Sequence, residues 1–357
     1  MNKRSLWVLV TLATVFSQAL WSFDSPHTVQ DRVLVGAIRW DAWIGDLKKG
    51  TNKTGLIVER NLSPNKYHYR APFYATVVGP DSIQARETTQ SIMDQDIEYA
   101  KNGGIDYWAF VWYSNGTGLE TARNLYFSSS NRNDVHWCLI ISPPFNFNTD
   151  GAWLIEKFKE PIYQKVLHGR PLVYLYDPGH VISGNDVIRL RERCKTEGVD
   201  DPYIALMHTG PLQTASVISD SLGADALSMY NSFGSNDGGP YSPFIPNLDK
   251  QGWNSFKALK HQVVPWVTSG KNIKPRIDNP VPWMTVRPDA WTADGTPGQI
   301  AQNVKNAVDW TRQNTETAQA NAIIIYAWNE FDEGGWICPT LGNDDNRLKA
   351  IKTALRR

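Results

Sequence analysis

The sequence predicts a single (β/α)8 barrel, an α/β fold with long βα loops on the face where the strands end. Eight short apolar runs alternate with longer amphipathic segments between residues 27 and 357, which is the pattern of a parallel α/β protein. No Gly-x-Gly-x-x-Gly follows the first run, and this favours the barrel over a dinucleotide-binding sheet. No linker-like stretch divides the chain, so residues 27–357 are predicted to form one domain.

The eight predicted strands share the continuous apolar character of strands that are buried on both faces. They are Val33–Trp40, Ile105–Tyr113, Val135–Ser142, Pro171–Tyr176, Tyr203–His208, Ala224–Met229, Val263–Thr268 and Ala322–Trp328. In a barrel, the first and the last of these strands are neighbours that close the sheet.

Helical patterns separate the strands, and the clearest have recognisable ends. They are Thr88–Asn102, Asp150–Leu167, Asn185–Glu197, Leu212–Leu222, Pro297–Thr315 and Asp345–Arg356. Gly103-Gly104 predicts a helix end, Asp150 and Asn185 are predicted N-caps, and Pro297 suits a first helical turn.

Three long segments follow strands and are predicted to crowd the rim of the barrel. They are Asp41–Arg86, Asn231–Lys260 with its polar stretch Phe233–Pro246, and Ser269–Gly295, which carries Trp283 and Trp291.

Composition excludes several classes of protein. The 357 residues include 36 basic and 36 acidic side chains, so a nucleic-acid or anionic-membrane partner is not predicted. The three cysteines and seven histidines show no metal-binding spacing, so no metal or other cofactor is predicted and at most one disulfide can form. The chain has 15 Trp, amphipathic side chains that suit platforms for sugar rings as well as a core.

The N-terminus has the order of a secretory signal, predicted over residues 1–22. Lys3 and Arg4 precede the apolar run Leu6–Phe16, and the small residues Ser17, Ala19 and Ser22 follow. The run is too short to span a bilayer, and no later stretch is long enough. We therefore expect a secreted or periplasmic protein without a transmembrane segment, and a monomer.

Strand ends supply the candidate binding residues, because the active sites of such barrels lie at the C-terminal ends of the strands. The predicted substrate-binding side chains are Arg39, Trp40, Asp41, Trp43, Tyr74, Trp112, Tyr113, Asp177, His208, Asn231, Trp266, Trp328, Asn329 and Trp336. Three of them have an alternative, purely structural interpretation. Asp177 begins an Asp-Pro-Gly turn, His208 can be structural, and Arg39 can organise a carboxylate.

Glu330 and Glu333 are the predicted catalytic pair. They follow the last apolar run among tryptophans, and on a helical turn residues three apart have Cβ atoms about 5–6 Å apart. Crowding disfavours double ionisation, so one carboxyl can act as acid and the other as base. Turn formation or helix capping is the alternative. The sequence leaves open whether their separation suits a retaining or an inverting glycosidase.

Several motifs resemble glycoside hydrolase family 99, the endo-α-mannosidase and endo-α-mannanase group, and its bacterial relatives from polysaccharide loci. Tyr326-Ala-Trp-Asn-Glu-Phe-Asp-Glu-Gly-Gly335 is similar to their Trp-Asn-Glu-Trp-x-Glu-Gly motif, and Gly36–Trp43 and Asp94–Tyr113 look like their first two strand units. The resemblance implies that Glu330 deprotonates the sugar 2-hydroxyl, which attacks the anomeric carbon to give a 1,2-anhydro sugar. It implies that Glu333 protonates the leaving oxygen and then activates water, with net retention.

The chain also departs from that family. Phe331 replaces the commoner Trp, Asp332 adds a third acid that can alter both carboxyl pKa values, and residues 200–300 show no matching motif. The sequence predicts a glycoside hydrolase acting on an α-linked oligosaccharide or polysaccharide. The alternatives are an α-1,3-glucanase similar to family 71, which has a comparable strand-eight end, and a non-catalytic glycan-binding barrel.

Overall fold

The computed structural model describes residues 32–43, 53–86, 89–208, 210–231, 238–241, 252–342 and 344–356. The predicted signal sequence 1–22 lies outside these residues, as do residues 44–52 of the first long segment and most of Phe233–Pro246.

Eight parallel strands form the centre of the fold. They are β1 (Leu34–Arg39), β2 (Tyr107–Val111), β3 (His136–Ile141), β4 (Arg170–Leu175), β5 (Tyr203–Met207), β6 (Ala226–Ser228), β7 (Gln262–Val263 and Trp266–Thr268) and β8 (Ala322–Tyr326). Each pairs with the next, and β1 pairs with β8, with Leu34 opposite Ala322. The predicted neighbourhood of the first and last strands is confirmed.

The seventh strand closes the barrel by changing partner at a proline. Its first segment pairs with β6, and its second segment pairs with β8. Between the two segments, the N–H of Val264 donates to Leu227 (3.0 Å) and the carbonyl of Pro265 accepts from Ile324 (2.9 Å). Because Pro265 has no N–H to donate to a second strand, the ladder breaks there. The ring of eight strands is complete, and the predicted barrel fold is confirmed.

Every strand is followed by at least one helix, and the further helices after β1 and β7 belong to the rim segments described below. The helices are α1 (Gln90–Gly103), α2 (Thr121–Ser128), α3 (Thr149–Phe158), α4 (Gly184–Thr196), α5 (Leu212–Leu222), α6 (Asn254–Ala258), α7 (Pro297–Gln313) and α8 (Asn346–Leu355). Gly104 ends α1 at φ 83°, and Pro297 lies in the first turn of α7. Both predictions are confirmed.

Helix boundaries differ most from the predicted ones in the third and fourth helices. The third helix ends at Phe158 instead of Leu167, because the residue before Pro161 is disfavoured in a helix. Lys165–Val166 forms instead a short strand that pairs with the start of β4. The predicted caps Asp150 and Asn185 lie inside their helices, and Ser183 caps α4 through a capping box with Asp186.

The rim segments contain structure of their own. The segment after β1 holds a helix (Lys53–Leu62), a 3-10 turn (Asn65–Arg70) and a small hairpin (Thr76–Gly79 with Ser82–Gln84). The segment after β7 holds the short helix Lys274–Asp278. A second hairpin follows β8 and pairs Asn329–Glu330 with Gly335–Trp336.

Aromatic side chains fill much of the core. Seven tryptophans are fully buried: Trp43, Trp108, Trp112, Trp137, Trp253, Trp266 and Trp328. Inside the barrel, the Tyr107 ring occupies the space over Gly36, where a Cβ atom would lie 2.1 Å from the ring. Most of the tryptophan surplus therefore serves packing. All three cysteines are within the described residues, are buried and form no disulfide with one another.

Candidate active site

The two predicted catalytic glutamates lie on the hairpin that follows β8. Glu330 is opposite Gly335, and the 3-10 turn Phe331–Glu333 connects the two short strands. Gly334 ends this turn at φ 83°, and a Cβ atom there would lie 2.3 Å from the backbone nitrogen of Asn272. Only glycine suits that combination of backbone angle and close approach. The hairpin is thereby seated directly against the loop that follows β7.

Asn329 ties the hairpin to the end of β1. Its side-chain oxygen accepts a hydrogen bond from the backbone N–H of Trp40 (2.8 Å), and its amide donates to Asp41 (3.3 Å). Its backbone carbonyl accepts from the indole of Trp43 (2.8 Å). The structure thus brings together four residues that were predicted separately, and it fixes the backbone immediately before Glu330.

A buried ion network lies beneath these contacts. Arg39 is fully buried and bonds to Asp41 (2.8 Å) and Asp96 (2.5 Å), and its guanidinium lies over the Trp108 ring at 4.6 Å. Asp96 also accepts from the indole of Trp328 (3.2 Å). Burial raises the pKa of Asp41, and Arg39 opposes that effect. The described contacts of Arg39 are therefore those of a residue that organises carboxylates, which was the structural alternative to substrate binding.

Glu330 is a buried carboxyl, 3% exposed. One of its oxygens accepts from the Tyr230 hydroxyl at 2.8 Å. The other oxygen has no hydrogen-bond partner within the described part of the chain, and Arg276 lies 3.8 Å from it. Burial and the negative charge of Glu333 raise the pKa of Glu330 well above its ordinary value, while Arg276 acts in the opposite direction. The protonated form of Glu330 is therefore favoured in this structure.

Glu333 is the more accessible member of the pair, with 20% of its side chain exposed. One of its carboxylate oxygens accepts from Arg276, and the other accepts from the Tyr326 hydroxyl. Arg276 therefore lies against both glutamates.

Asp332 holds this arginine in place. Arg276 donates to both of its oxygens (2.7 and 2.9 Å), and the Asn61 amide donates to one of them (3.0 Å). Asp332 is fully buried. The third acid of the motif is thus occupied as an anchor and is not open to a substrate.

Two groups of aromatic rings lie near the pair. In the first, Tyr230 packs against Tyr176 (ring centroids 4.6 Å apart) and Tyr326 (5.6 Å). In the second, the indole of Trp40 donates to the Tyr113 hydroxyl, and Trp40 lies 6.1 Å from Trp283. Trp283 is 41% exposed, the kind of surface aromatic that can stack on a ligand.

Lys271 adds a cation close to the pair. It is 5% exposed and follows β7. Burial lowers its pKa to about 8, and the charge of Glu333 opposes the shift. Its charge is thus sensitive to pH in the neutral range.

Four predicted aromatic residues make their described contacts elsewhere. Trp112 packs on Phe145 and Trp153, Trp266 on Phe256, Trp328 on Trp108, and Tyr74 on Phe73. A fifth, Trp336, is covered by Arg347, whose guanidinium lies 3.5 Å from its ring centroid.

Three predicted polar residues also have local roles. Asp177 accepts a hydrogen bond from the N–H of Ile182 (2.6 Å). This local contact fits the alternative interpretation of Asp177 as a turn residue. His208 contacts the carbonyl of Pro211 at 2.9 Å. Asn231 is buried, and its side-chain oxygen has no partner among the residues described. The structure places none of these three in a described contact with either glutamate.

The sequence did not identify Arg276, Tyr230 and Tyr326 as site residues. Tyr326 lies within the motif around the glutamates and Tyr230 at a predicted strand end, so both positions carried a signal. Arg276 lies in the irregular segment Ser269–Gly295, where no sequence pattern distinguishes it from the other cations of that segment. Within the described ranges, no cluster of three or more metal-binding side chains occurs, and no helix is long and apolar enough to cross a membrane.

Comparison with known proteins supports the fold. No protein-family model and no curated protein matches the sequence. Two solved structures of the GH99 endo-α-mannosidase from Bacteroides thetaiotaomicron are similar to this chain. One was solved with bis-tris propane and has a TM-score of 0.57 at 15% identity, covering 90% of this chain and 94% of the other. The second has a TM-score of 0.56 at 14% identity, covering 90% and 95%. Similarity at this identity shows a common fold.

Proposed function

We propose that the protein is a secreted glycoside hydrolase that cleaves α-linked glycans with Glu330 and Glu333. The observation that carries the proposal is the close pair of carboxyls at the C-terminal rim of the barrel, bridged by Arg276 and with tyrosine and tryptophan rings nearby. Burial favours a proton on Glu330, while Arg276 and Tyr326 donate to Glu333. A pair that carries one proton can supply one acid and one base.

The proposed reaction proceeds with retention. As the bond from the anomeric carbon to the leaving oxygen breaks, the sugar 2-oxygen bonds to that carbon and loses its proton to one glutamate. The other glutamate gives its proton to the leaving oxygen. A water molecule then adds to the anomeric carbon as the bond from that carbon to the 2-oxygen breaks. The water gives a proton to the second glutamate, and the first glutamate returns its proton to the 2-oxygen. Resemblance to family 99 assigns the base to Glu330 and the acid to Glu333.

The unliganded structure favours the opposite placement of the proton. Because the proton is favoured on Glu330, the roles that the resemblance implies require it to reach Glu333 before the bond breaks. The reversed assignment, with Glu330 as acid and Glu333 as base, requires no such transfer. Substrates with different leaving groups distinguish these two assignments, because a good leaving group needs little protonation.

The aromatic rings near the pair fit a sugar substrate. Trp40 and Trp283 offer ring faces next to the glutamates, and we assign to Trp283 the stacking of a sugar ring. The similar solved structures are of an endo-α-mannosidase, so α-linked mannans are the first substrates to test. The proposed secretion rests on the signal-like order of residues 1–22 and is tested by finding the mature chain outside the cytoplasm.

The test compares the wild type with Glu330→Gln and Glu333→Gln on a panel of α-linked polysaccharides, including mannans and α-1,3-glucan. We expect cleavage by the wild type and a loss of at least about 100-fold in each variant, the size typical of acid–base catalysis. Proton NMR of the first anomer formed checks retention. On an aryl α-glycoside with a good leaving group, the variant of the acid recovers activity and the variant of the base does not.

Other outcomes would contradict the proposal. Binding of glycans without cleavage would identify a glycan-binding barrel, and cleavage that survives both substitutions would place the catalytic acids elsewhere. Cleavage confined to α-1,3-glucan would favour the similarity to family 71. An inverted first product would rule out participation of the 2-hydroxyl.

A further inference from the structure

Arg276 has more carboxylate partners than any other described arginine near the hairpin. It donates to Asp332 through two nitrogens (2.7 and 2.9 Å), it donates to Glu333, and it lies 3.8 Å from Glu330. Its side chain is 1% exposed. A guanidinium carries its donors in a rigid planar fork, so occupying one edge with Asp332 fixes the direction of the remaining nitrogens.

The residue that anchors Arg276, Asp332, is distinct from the two glutamates that Arg276 contacts. Asp332 is fully buried and is held by Asn61, which belongs to the helix Lys53–Leu62 after β1. Arg276 belongs to the short helix Lys274–Asp278 after β7. Two rim segments that are distant in sequence therefore meet on the hairpin and fix one cation between the two glutamates.

We propose that Arg276, braced by Asp332, is the positioning residue that holds Glu333 and sets the pH range in which the glutamate pair carries a single proton. The proposal rests on the proposed function for its catalytic consequence, but the titration of the pair can be measured without it. Asp332, the acid that departs from the family motif, acts here chiefly as the anchor of Arg276.

Several other ionisable groups face the pair and are part of its titration. They are Lys271 after β7, and Tyr113, Tyr176, Tyr230 and Tyr326 at the ends of β2, β4, β6 and β8. Arg287 acts on Lys271. The tyrosines have raised pKa values, chiefly because of burial, and stay neutral while the pair titrates. Among the charged neighbours that shift the pKa of Glu330, Arg276 outweighs Asp332.

The test is a carbon-13 NMR titration of the carboxyl groups in glutamate-labelled protein, with the pair assigned through Glu330→Gln and Glu333→Gln. The double variant Arg276→Met with Asp332→Asn removes both charges of the buried ion pair, so no uncompensated charge remains. We expect its acid transition to move upward by about one pH unit or more. Arg276→Lys, which keeps the charge but loses the fork, should move less.

Asp332→Asn alone is the matched control. It removes a negative charge but keeps the charge of Arg276, and the asparagine oxygen can still accept one of the arginine's hydrogen bonds, so the acid transition of the pair should stay or move downward. An unchanged titration in a folded double variant, or an upward shift in Asp332→Asn of the same size, would overturn the proposal.

In an active enzyme, the acidic limb of kcat/KM should move with the NMR transition, and kcat should fall more than KM rises. If the wild type cleaves no glycan, the proposed function fails while the NMR titration still decides the role of Arg276.

Discussion

Two buried arginines support the same hairpin, and they differ in what surrounds them. Arg39 bonds to two aspartates, Asp41 and Asp96, and its guanidinium is covered by Trp108. Arg276 lies among three acids, and its guanidinium is 5.1 Å from the ring centroid of Trp40 and 5.7 Å from that of Trp283. Both are cations between aromatic rings and carboxylates. Only the cluster of Arg276 includes an exposed ring and a partly exposed carboxylate.

The two clusters also differ in the charged groups that they contain. Burial raises the pKa of Asp41, so the Arg39 cluster is close to neutral when that acid is protonated. The Arg276 cluster contains the carboxyl groups of Glu330, Asp332 and Glu333, with Lys271 as a second cation close to Glu333. Carboxylates at the rim can stabilise the positive charge that develops at an anomeric carbon. We infer that the Arg39 cluster serves the fold and that the Arg276 cluster serves chemistry.

The largest expected effect is a loss of stability when the Arg39 cluster is disrupted. Arg39→Met leaves Asp41 and Asp96 buried without their cation, and removing one partner of a buried ion pair costs about 3–5 kcal/mol. Urea unfolding should show this loss, whereas the double variant Arg276→Met with Asp332→Asn should lose much less. Equal losses in the two proteins would contradict the distinction between the clusters.

The next prediction concerns Trp283, the exposed ring of the Arg276 cluster. Trp283→Ala removes an exposed ring, so we expect KM for a cleaved glycan to rise about tenfold, as loss of one aromatic contact of roughly 1.4 kcal/mol implies. The free energy of unfolding should change by less than it does in Arg39→Met, because the Trp283 ring is 41% exposed.

Trp291→Ala is the matched control for this variant. Trp291 lies on the same rim segment, but the ammonium of Lys274 lies 3.6 Å from its ring centroid. Its loss should affect stability and leave KM unchanged. The stacking role of Trp283 would be wrong if its KM stayed at the wild-type value or if both variants raised KM equally.

The two clusters also mark how far sequence reasoning reaches. Strands and most helices were predictable because their apolar runs and their caps are local signals, and Glu330 and Glu333 lay at a predicted strand end. Arg39 was predictable as a rim residue with a carboxylate partner because Asp41 is two residues away. Arg276 was not, because its partners are 54 to 57 positions along the chain and its own segment has no period. Trp112 and Trp266 lie at predicted strand ends, as Trp40 does, and only the packing of the folded chain shows that they are buried.

The smallest expected effect concerns the protonation of Glu330 and is a gain in stability. Its pKa is raised in the folded protein, so the folded state binds the proton more tightly than the unfolded chain. The free energy of unfolding of the wild type therefore falls as the pH rises above the unfolded value of about 4.3, until the folded pKa is passed. Glu330→Gln has no such charge to bury and should exceed the wild type by about 1 kcal/mol at pH 8.

Urea unfolding at pH 5 and pH 8 checks this prediction, and the gain should shrink at pH 5. Glu192→Gln, on the exposed face of α4, is the control and should show no difference between the two pH values. A Glu330→Gln protein that is equally or less stable than the wild type at pH 8 would mean that the buried carboxyl is adequately solvated or paired. The proton that the proposed acid–base pair shares would then have no favoured place on Glu330, and the assignment of roles would rest on the leaving-group comparison alone.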